Sequence, residues 1–313
     1  MWKNDLSESF GPMTVKELRQ GMRKASFVYP FLVIQVIAVL AVSVELKAGS
    51  NLYRVTDPGM LNVFMLFTSG PFWVVAGVIC MLLMPLTGLW LMKPEMEEAN
   101  HELLQLTSLS RWRIVFGKFL TLWGLCALTF CSLLPYVVVR YMVGGVEWGH
   151  ELACASTVLG GGAMLSAMAI GASAYRKTAA KLGILSLLAG SGAAIAAITL
   201  VGSALLSKGC GWFYHLTAVS AVVCCVFQSL SLARSRLRLA LHPYESDPGN
   251  LMIGWLFFQP FVIGLLTATT IGGGGFLGLL GFAWVAYMLD KRGSRKAPVP
   301  NIPPVPPLLP RNG

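Results

Sequence analysis

"PFWVVAGVICMLLMPLTGLWLM", residues 71–92, carries no charged side chain. As an α-helix it would be about 33 Å long, matching the ~30 Å hydrocarbon core of a bilayer. A helix that is apolar on every side has no face for water, so it must be covered by lipid or protein. Seven further apolar runs stand along the chain, at about 28–46, 119–143, 153–174, 182–206, 212–233, 251–267 and 272–289. Composition agrees. The 313 residues are 55% hydrophobic and 12% charged, with mean hydropathy +0.67, whereas ordinary soluble domains carry about 25% charge. The expectation is an all-α polytopic membrane protein with about eight transmembrane helices. Runs seven and eight are separated by the tight "TATTIGGGG" alone; a re-entrant hairpin there would leave six full spans with the same parity. "LNVFMLFTS", 61–69, either extends the second span or lies at the interface.

Charge placement orients these runs. With the N-terminus in the cytoplasm, alternating spans put every Lys and Arg on that side except Lys47, Arg54, Arg140 and Lys208, out of 24. Cytoplasmic loops carry such an excess, so both termini are expected inside. The net charge of +10 then faces an anionic leaflet rather than nucleic acid. The leader "MWKNDLSESFGPMTVKELRQGMRKA" is acidic as well as basic and shows no cleavable signal pattern.

Chemistry-bearing residues are sparse. Glu45, Arg140 and Asp290 fall near span ends and read as interfacial; spacing alone gives no reason to pair Glu45 with Arg140. The near-absence of charge at mid-depth argues against a proton pump or an ion-coupled transporter. His101, His150, His215 and His242 are scattered, no HExxH occurs, and no two of the seven cysteines form a CxxC pair. The Gly runs at 160–162 and 272–275 are not followed by the GK[ST] of a phosphate loop. The first, like "GSGAAIAAI" at 190–198, suits close helix contact. No catalytic residue, metal ligand or cofactor is expected. Pro71 and Pro85 should flank or kink the second span.

Two patterned segments face the cytoplasm. In "MTVKELRQGMRKASFVYPFLVIQ", Val15, Leu18, Met22 and Ala25 recur at helical spacing, predicting an amphipathic helix along the inner leaflet. In "PEMEEANHELLQL", Met96, Ala99, Leu103 and Leu106 share a stripe behind a Pro- and Glu-rich helix start. "TSLS" then bends the chain, Ser108 or Ser110 caps a second helix, and "RWRIVFGK" enters the third span. Such a hairpin is suited either to docking a soluble partner or to packing at the interface.

"VKELRQGMR" followed by "ELLQLTSLSRWRIVFGK" resembles the membrane subunits of ABC-2 type ABC transporters. The resemblance rests on Glu102-Leu103-Leu104, Thr107-Ser108-Leu109-Ser110, Arg111 and Gly117-Lys118, with Ser108 where the family commonly has proline. It implies a segment coupling to an ATPase that includes Glu98, Glu102, Leu103, Leu106, Thr107, Leu109, Arg111 and Lys118. It also implies an interface helix carrying Lys16, Glu17, Arg19 and Arg23. The organisation it suggests is a cytoplasmic amphipathic segment (1–26) and a six-helix core (27–250) with its coupling segment at 94–118. A C-terminal transmembrane hairpin (251–290) and a Pro-rich cytoplasmic tail (291–313) complete it. The implied partners are a separate ABC ATP-binding subunit, which would hydrolyse the ATP, a second membrane subunit, identical or homologous, and the lipid bilayer. The implied location is the cytoplasmic (inner) membrane, and the implied role is export of a hydrophobic, amphiphilic or chain-like substrate. An ATP-independent transporter or channel, or a non-transporting scaffold, is the alternative.

Overall fold

The computed structural model describes residues 12–23, 25–48, 61–93, 111–143, 147–206, 212–241, 249–269 and 275–293. Ten helices are present among them. Helix α1 is Pro12–Arg23 and α2 is Ala25–Ala48. A short α3, Val63–Thr68, precedes α4, the composite span Pro71–Trp90. Then follow α5 Arg111–Val143, α6 Trp148–Ser173, α7 Thr178–Leu206, α8 Trp212–Leu241, α9 Gly249–Thr269 and α10 Gly275–Gly293.

Six of these are long and apolar enough to cross a membrane: Phe27–Lys47, Pro71–Trp90, Arg111–Val143, Trp148–Ser173, Thr178–Ile198 and Tyr214–Leu237. Their outward side chains confirm the solvent. Leu32, Val36, Leu40 and Val44 of α2, for example, are exposed, a stripe that water would not tolerate over such a length. Helices α9 and α10 hold the shorter apolar stretches Ile253–Leu266 and Gly275–Met288.

Side-chain contacts fix the direction of each helix. Lys118 at the start of α5 meets Glu17 of α1, and Lys181 at the start of α7 donates to the carbonyl of Leu89 at the end of α4. Arg234, late in α8, lies over the ring of Trp112. These define one end of the bundle, the Lys118 end. At the other, Arg140 late in α5 meets Glu45 late in α2 and Glu151 early in α6. Lys118 and Arg140 sit about 33 Å apart along one helix, so they bracket a hydrocarbon core. Spans α2 and α4–α8 thus alternate in direction. Helix α9 passes Leu232 with Leu256, then Ile195 and Cys224 with Ile263, and α10 returns past Leu279 to Ala286.

Glycines set the tightest approaches. Gly161 and Gly162 of the 160–162 run face Met81 and Cys80 of α4, and Gly171 meets the Ser229 carbonyl of α8. A Cβ on Gly171 would fall 2.9 Å from that oxygen. Close backbone contact is how membrane helices gain packing energy, since lipid supplies no hydrophobic drive between them. The second span is indeed distorted at its prolines. Pro71 opens α4, and a π-helical stretch, Val78–Leu83, runs into Met84-Pro85, after which Thr87–Trp90 tightens to 3-10. The wider turn accommodates the ring of Pro85, which has no N–H to donate and would crowd the carbonyl four residues back.

Segment 61–69 forms its own helix instead of extending the second span. Asn62 caps it, accepting from Phe64 N at 3.0 Å, while its amide nitrogen donates to the Tyr214 hydroxyl of α8 at 3.0 Å. Val63, Phe64 and Phe67 point outward. Helix α1, the expected amphipathic helix, is docked on α5. Leu18 and Gly21 lie against Gly124 and Leu125, while Arg19, Met22 and Arg23 remain exposed.

Candidate functional site

The most concentrated chemistry lies at the Arg140 end. The α2 helix brings Glu45 to its last turn, α5 brings Arg140 to its own last turn, and α6 opens with His150 and Glu151. All three charged side chains of the ion cluster are almost fully buried: Arg140 is 4%, Glu45 9% and Glu151 1% exposed. Arg140 Nε donates to Glu45 Oε2 at 2.6 Å. Its Nη1 donates to Glu151 Oε1 at 2.9 Å and Oε2 at 3.1 Å, and Nη2 donates to the Ser69 carbonyl at 2.8 Å. The guanidinium carbon also stands 5.3 Å from the centre of the Phe72 ring and 6.0 Å from that of Trp73. One planar cation therefore ties together α2, the entry to α4, and α6. Arginine suits this better than lysine, because its donors are fixed in a fork.

The entry to α4 is shaped for the cluster. Gly70 has φ +107° and ψ 164°, a region close to glycine-only. That turn aims the Ser69 carbonyl at Arg140. It also aims the free N–H of Phe72, in the first turn of α4, at Glu45 Oε1, at 2.9 Å. An unsatisfied N–H at a helix start favours a carboxylate there. Trp73 Nε1 donates to Glu151 Oε1 at 3.2 Å. Beside them, Ser69 Oγ donates to the Met65 carbonyl and lies 2.8 Å from His150 Nε2. His150 Nδ1 is buried with no hydrogen-bond partner among the described residues.

The Lys118 end is built differently. The Lys118–Glu17 contact is 3.4 Å, with Lys118 buried and Glu17 partly open. Arg234 and Arg236 lie over the rings of Trp112 and Tyr175, at 5.8 and 4.7 Å. Trp112 in turn stacks on Phe227. At mid-depth the bundle holds amides in place of charges: Gln259 Nε2 donates to Cys224 Sγ at 3.2 Å, and Gln228 is buried one turn along α8 from Cys224.

Of the residues expected to couple to an ATPase, Glu98, Glu102, Leu103, Leu106, Thr107 and Leu109 lie outside the described residues. Arg111 begins α5, half-buried, and Lys118 is buried about two turns further along. Of the interface-helix residues, Glu17 meets Lys118 and Arg19 and Arg23 are exposed; the side chain of Lys16 lies outside the description. The two sets thus touch at Glu17 and Lys118. Sequence reasoning considered a Glu45–Arg140 pair on the outer side, found no support for it in the spacing, and passed over Glu151, Ser69 and Trp73. Among the described residues no group of three His, Cys, Asp or Glu side chains is arranged to hold a metal ion.

No family model, curated protein or solved structure matches the chain. Fold and residues together establish an all-helical, multi-span membrane protein with six apolar helices of membrane-crossing length and a buried ion cluster at one end.

Proposed function

We propose that the chain is the transmembrane subunit of an ATP-driven exporter of the ABC-2 type, with eight spans and both termini in the cytoplasm. The observation that carries this reading is the docking of α1 on the first half of α5, through Glu17–Lys118 and through Leu18 and Gly21 against Leu125 and Gly124. Segment 94–110 leads directly into α5 at Arg111. Force applied there by a nucleotide-binding partner enters a helix of 33 residues, about 50 Å long. The same force reaches α1 through the Glu17–Lys118 contact. ATP-driven closure of the partner would tilt α1 and α5 as a unit, which is a two-state movement biased by nucleotide. A second membrane subunit, identical or homologous, completes the path. The scarcity of charge at mid-depth suits a hydrophobic, amphiphilic or chain-like cargo.

The test is to purify the chain from its native membrane in mild detergent, in parallel with Glu102→Arg. An ATP-binding protein that accompanies the native chain in fixed ratio and is lost from the variant supports the reading. Its absence from a folded native preparation contradicts it. A second reading, an ATP-independent transporter, is favoured by the buried Arg140 cluster, since ionisable groups in membrane helices often line ion paths. It predicts substrate uptake by vesicles holding this chain alone.

A further inference from the structure

The seam between α8 and α9 buries two amides. Gln259 of α9 is 0% and Gln228 of α8 4% exposed. Gln259 donates its Nε2 to Cys224 Sγ. Its Oε1 has no hydrogen-bond partner among the described residues, and neither has Gln228 Oε1. Hydrocarbon holds no water to stand in for a missing partner, so an unmet amide oxygen is costly there. Gln228 differs from Gln259 in having a cavity beside it. Its side chain lines a pocket walled by Leu232 of α8, Trp255 and Leu256 of α9, and Phe282 and Ala286 of α10. The space leaves room for about one water-sized group. Trp255 is 39% exposed, so the pocket lies on the lipid-facing side of the seam and is not sealed within it. Its ring meets Phe282 edge-on, with 5.4 Å between centres. Gln228 precedes Arg234 on α8, which places it about 9 Å inside the Lys118 end.

We propose that this pocket binds the hydroxyl end of an uncharged, single-chain amphiphile entering from the bilayer, with Gln228 as its hydrogen-bond partner. Among the described residues no charged side chain lines the pocket, so a phosphate, carboxylate or ammonium would be buried unpaired. The unmet atom is an acceptor, which an ether or ketone could not serve. A hydroxyl both donates and accepts, so it meets the amide whichever end the amide presents. A lone water fits less well. It needs two to four polar partners, whereas the walls are apolar apart from the Gln228 amide and the Trp255 indole N–H. A hydroxyl on an alkyl chain has one hydrogen fewer to satisfy, and its chain matches the rings of Trp255 and Phe282. The proposal does not rest on the ATP-driven reading, because the pocket is built from this chain alone.

Photolabelling of the purified chain in phosphatidylcholine nanodiscs tests it. The probe is hexadecanol carrying a diazirine a few carbons from its hydroxyl. Label should fall on α9 and α10 around Trp255 and Phe282. Plain hexadecanol should compete about tenfold better than hexadecane at equal mole fraction in the bilayer, the difference one buried hydrogen bond makes. Gln228→Leu, which keeps the bulk and removes the amide, should bring the two competitors level. Without alcohol, that variant should melt no lower than the native chain, since it loses an unmet polar group. A lower melting temperature would mean that the amide is already satisfied within the fold, and would overturn the proposal. Label confined to other helices, equal competition in the native chain, or a preference that survives in Gln228→Leu would overturn it too. Copurification of an ATPase bears on none of these outcomes.

Discussion

The two ends of the bundle treat charge in opposite ways. At the Arg140 end, one guanidinium distributes its donors over Glu45, Glu151 and the Ser69 carbonyl, and burial excludes water. At the Lys118 end, basic side chains predominate. Some are covered from within, by Glu17, by the Leu89 carbonyl and by the rings of Trp112 and Tyr175. Others, including Arg19, Arg23, Lys93, Arg113 and Lys177, reach the surface. One end is closed by parts of the chain far apart in sequence, so it is stable by itself and opens only at a cost. The other leaves basic side chains at the surface, so its energetics depend on what surrounds it.

Substitutions that remove this contrast should scale with burial. Arg140→Gln leaves buried carboxylates without their cation and should cost about 3–5 kcal/mol, read as a large fall in the melting temperature in detergent. A loss below about 1 kcal/mol, the range of an exposed pair, would mean that the cluster is wet and the contrast false. Gly70→Ala comes next. It forces a side chain into a positive-φ position and sets a Cβ 2.6 Å from Glu45 Oε1, together about 2–3 kcal/mol. Gly171→Ala, in the last turn of α6 toward the Lys118 end, must push α6 from the Ser229 carbonyl and should cost about 1–2 kcal/mol. Smallest is the Glu17–Lys118 coupling, which a double-mutant cycle should place at or below about 1 kcal/mol. A coupling as large as the Arg140 effect would make the Lys118 end a second closed end.

The sequence carried the span pattern because lipid imposes it: a run such as 71–92 has no other stable home, and the helices begin and end near the expected limits. Pro71 and the 160–162 glycines were also legible, since Pro71 acts through local backbone sterics and a glycine run lets whichever helix is adjacent come close. The ion cluster was not. Glu45, Arg140 and Glu151 come from three helices, and nothing in their spacing says which faces meet. Glu151 in particular looks like an acidic residue in a first helical turn, where charge is favourable without any partner. The amphipathic pattern of Pro12–Arg23 gave the helix but not its dock, because an apolar stripe fits a leaflet and a neighbouring helix equally well. Segment 94–110 lies outside the described residues, and the proposed contact of an ATP-binding partner with it depends on that partner's surface as much as on this sequence.

That contact is the central claim, and position-specific photo-crosslinking in native membranes reaches it most directly. A photoreactive residue is placed at Leu103, in the coupling segment, and separately at Phe64, exposed near the Arg140 end. The account predicts that position 103 captures an ATP-binding protein, recognisable by its own GxxxxGK[ST] loop, while position 64 does not. Capture of lipid alone at position 103, in a folded chain at native abundance, would contradict it.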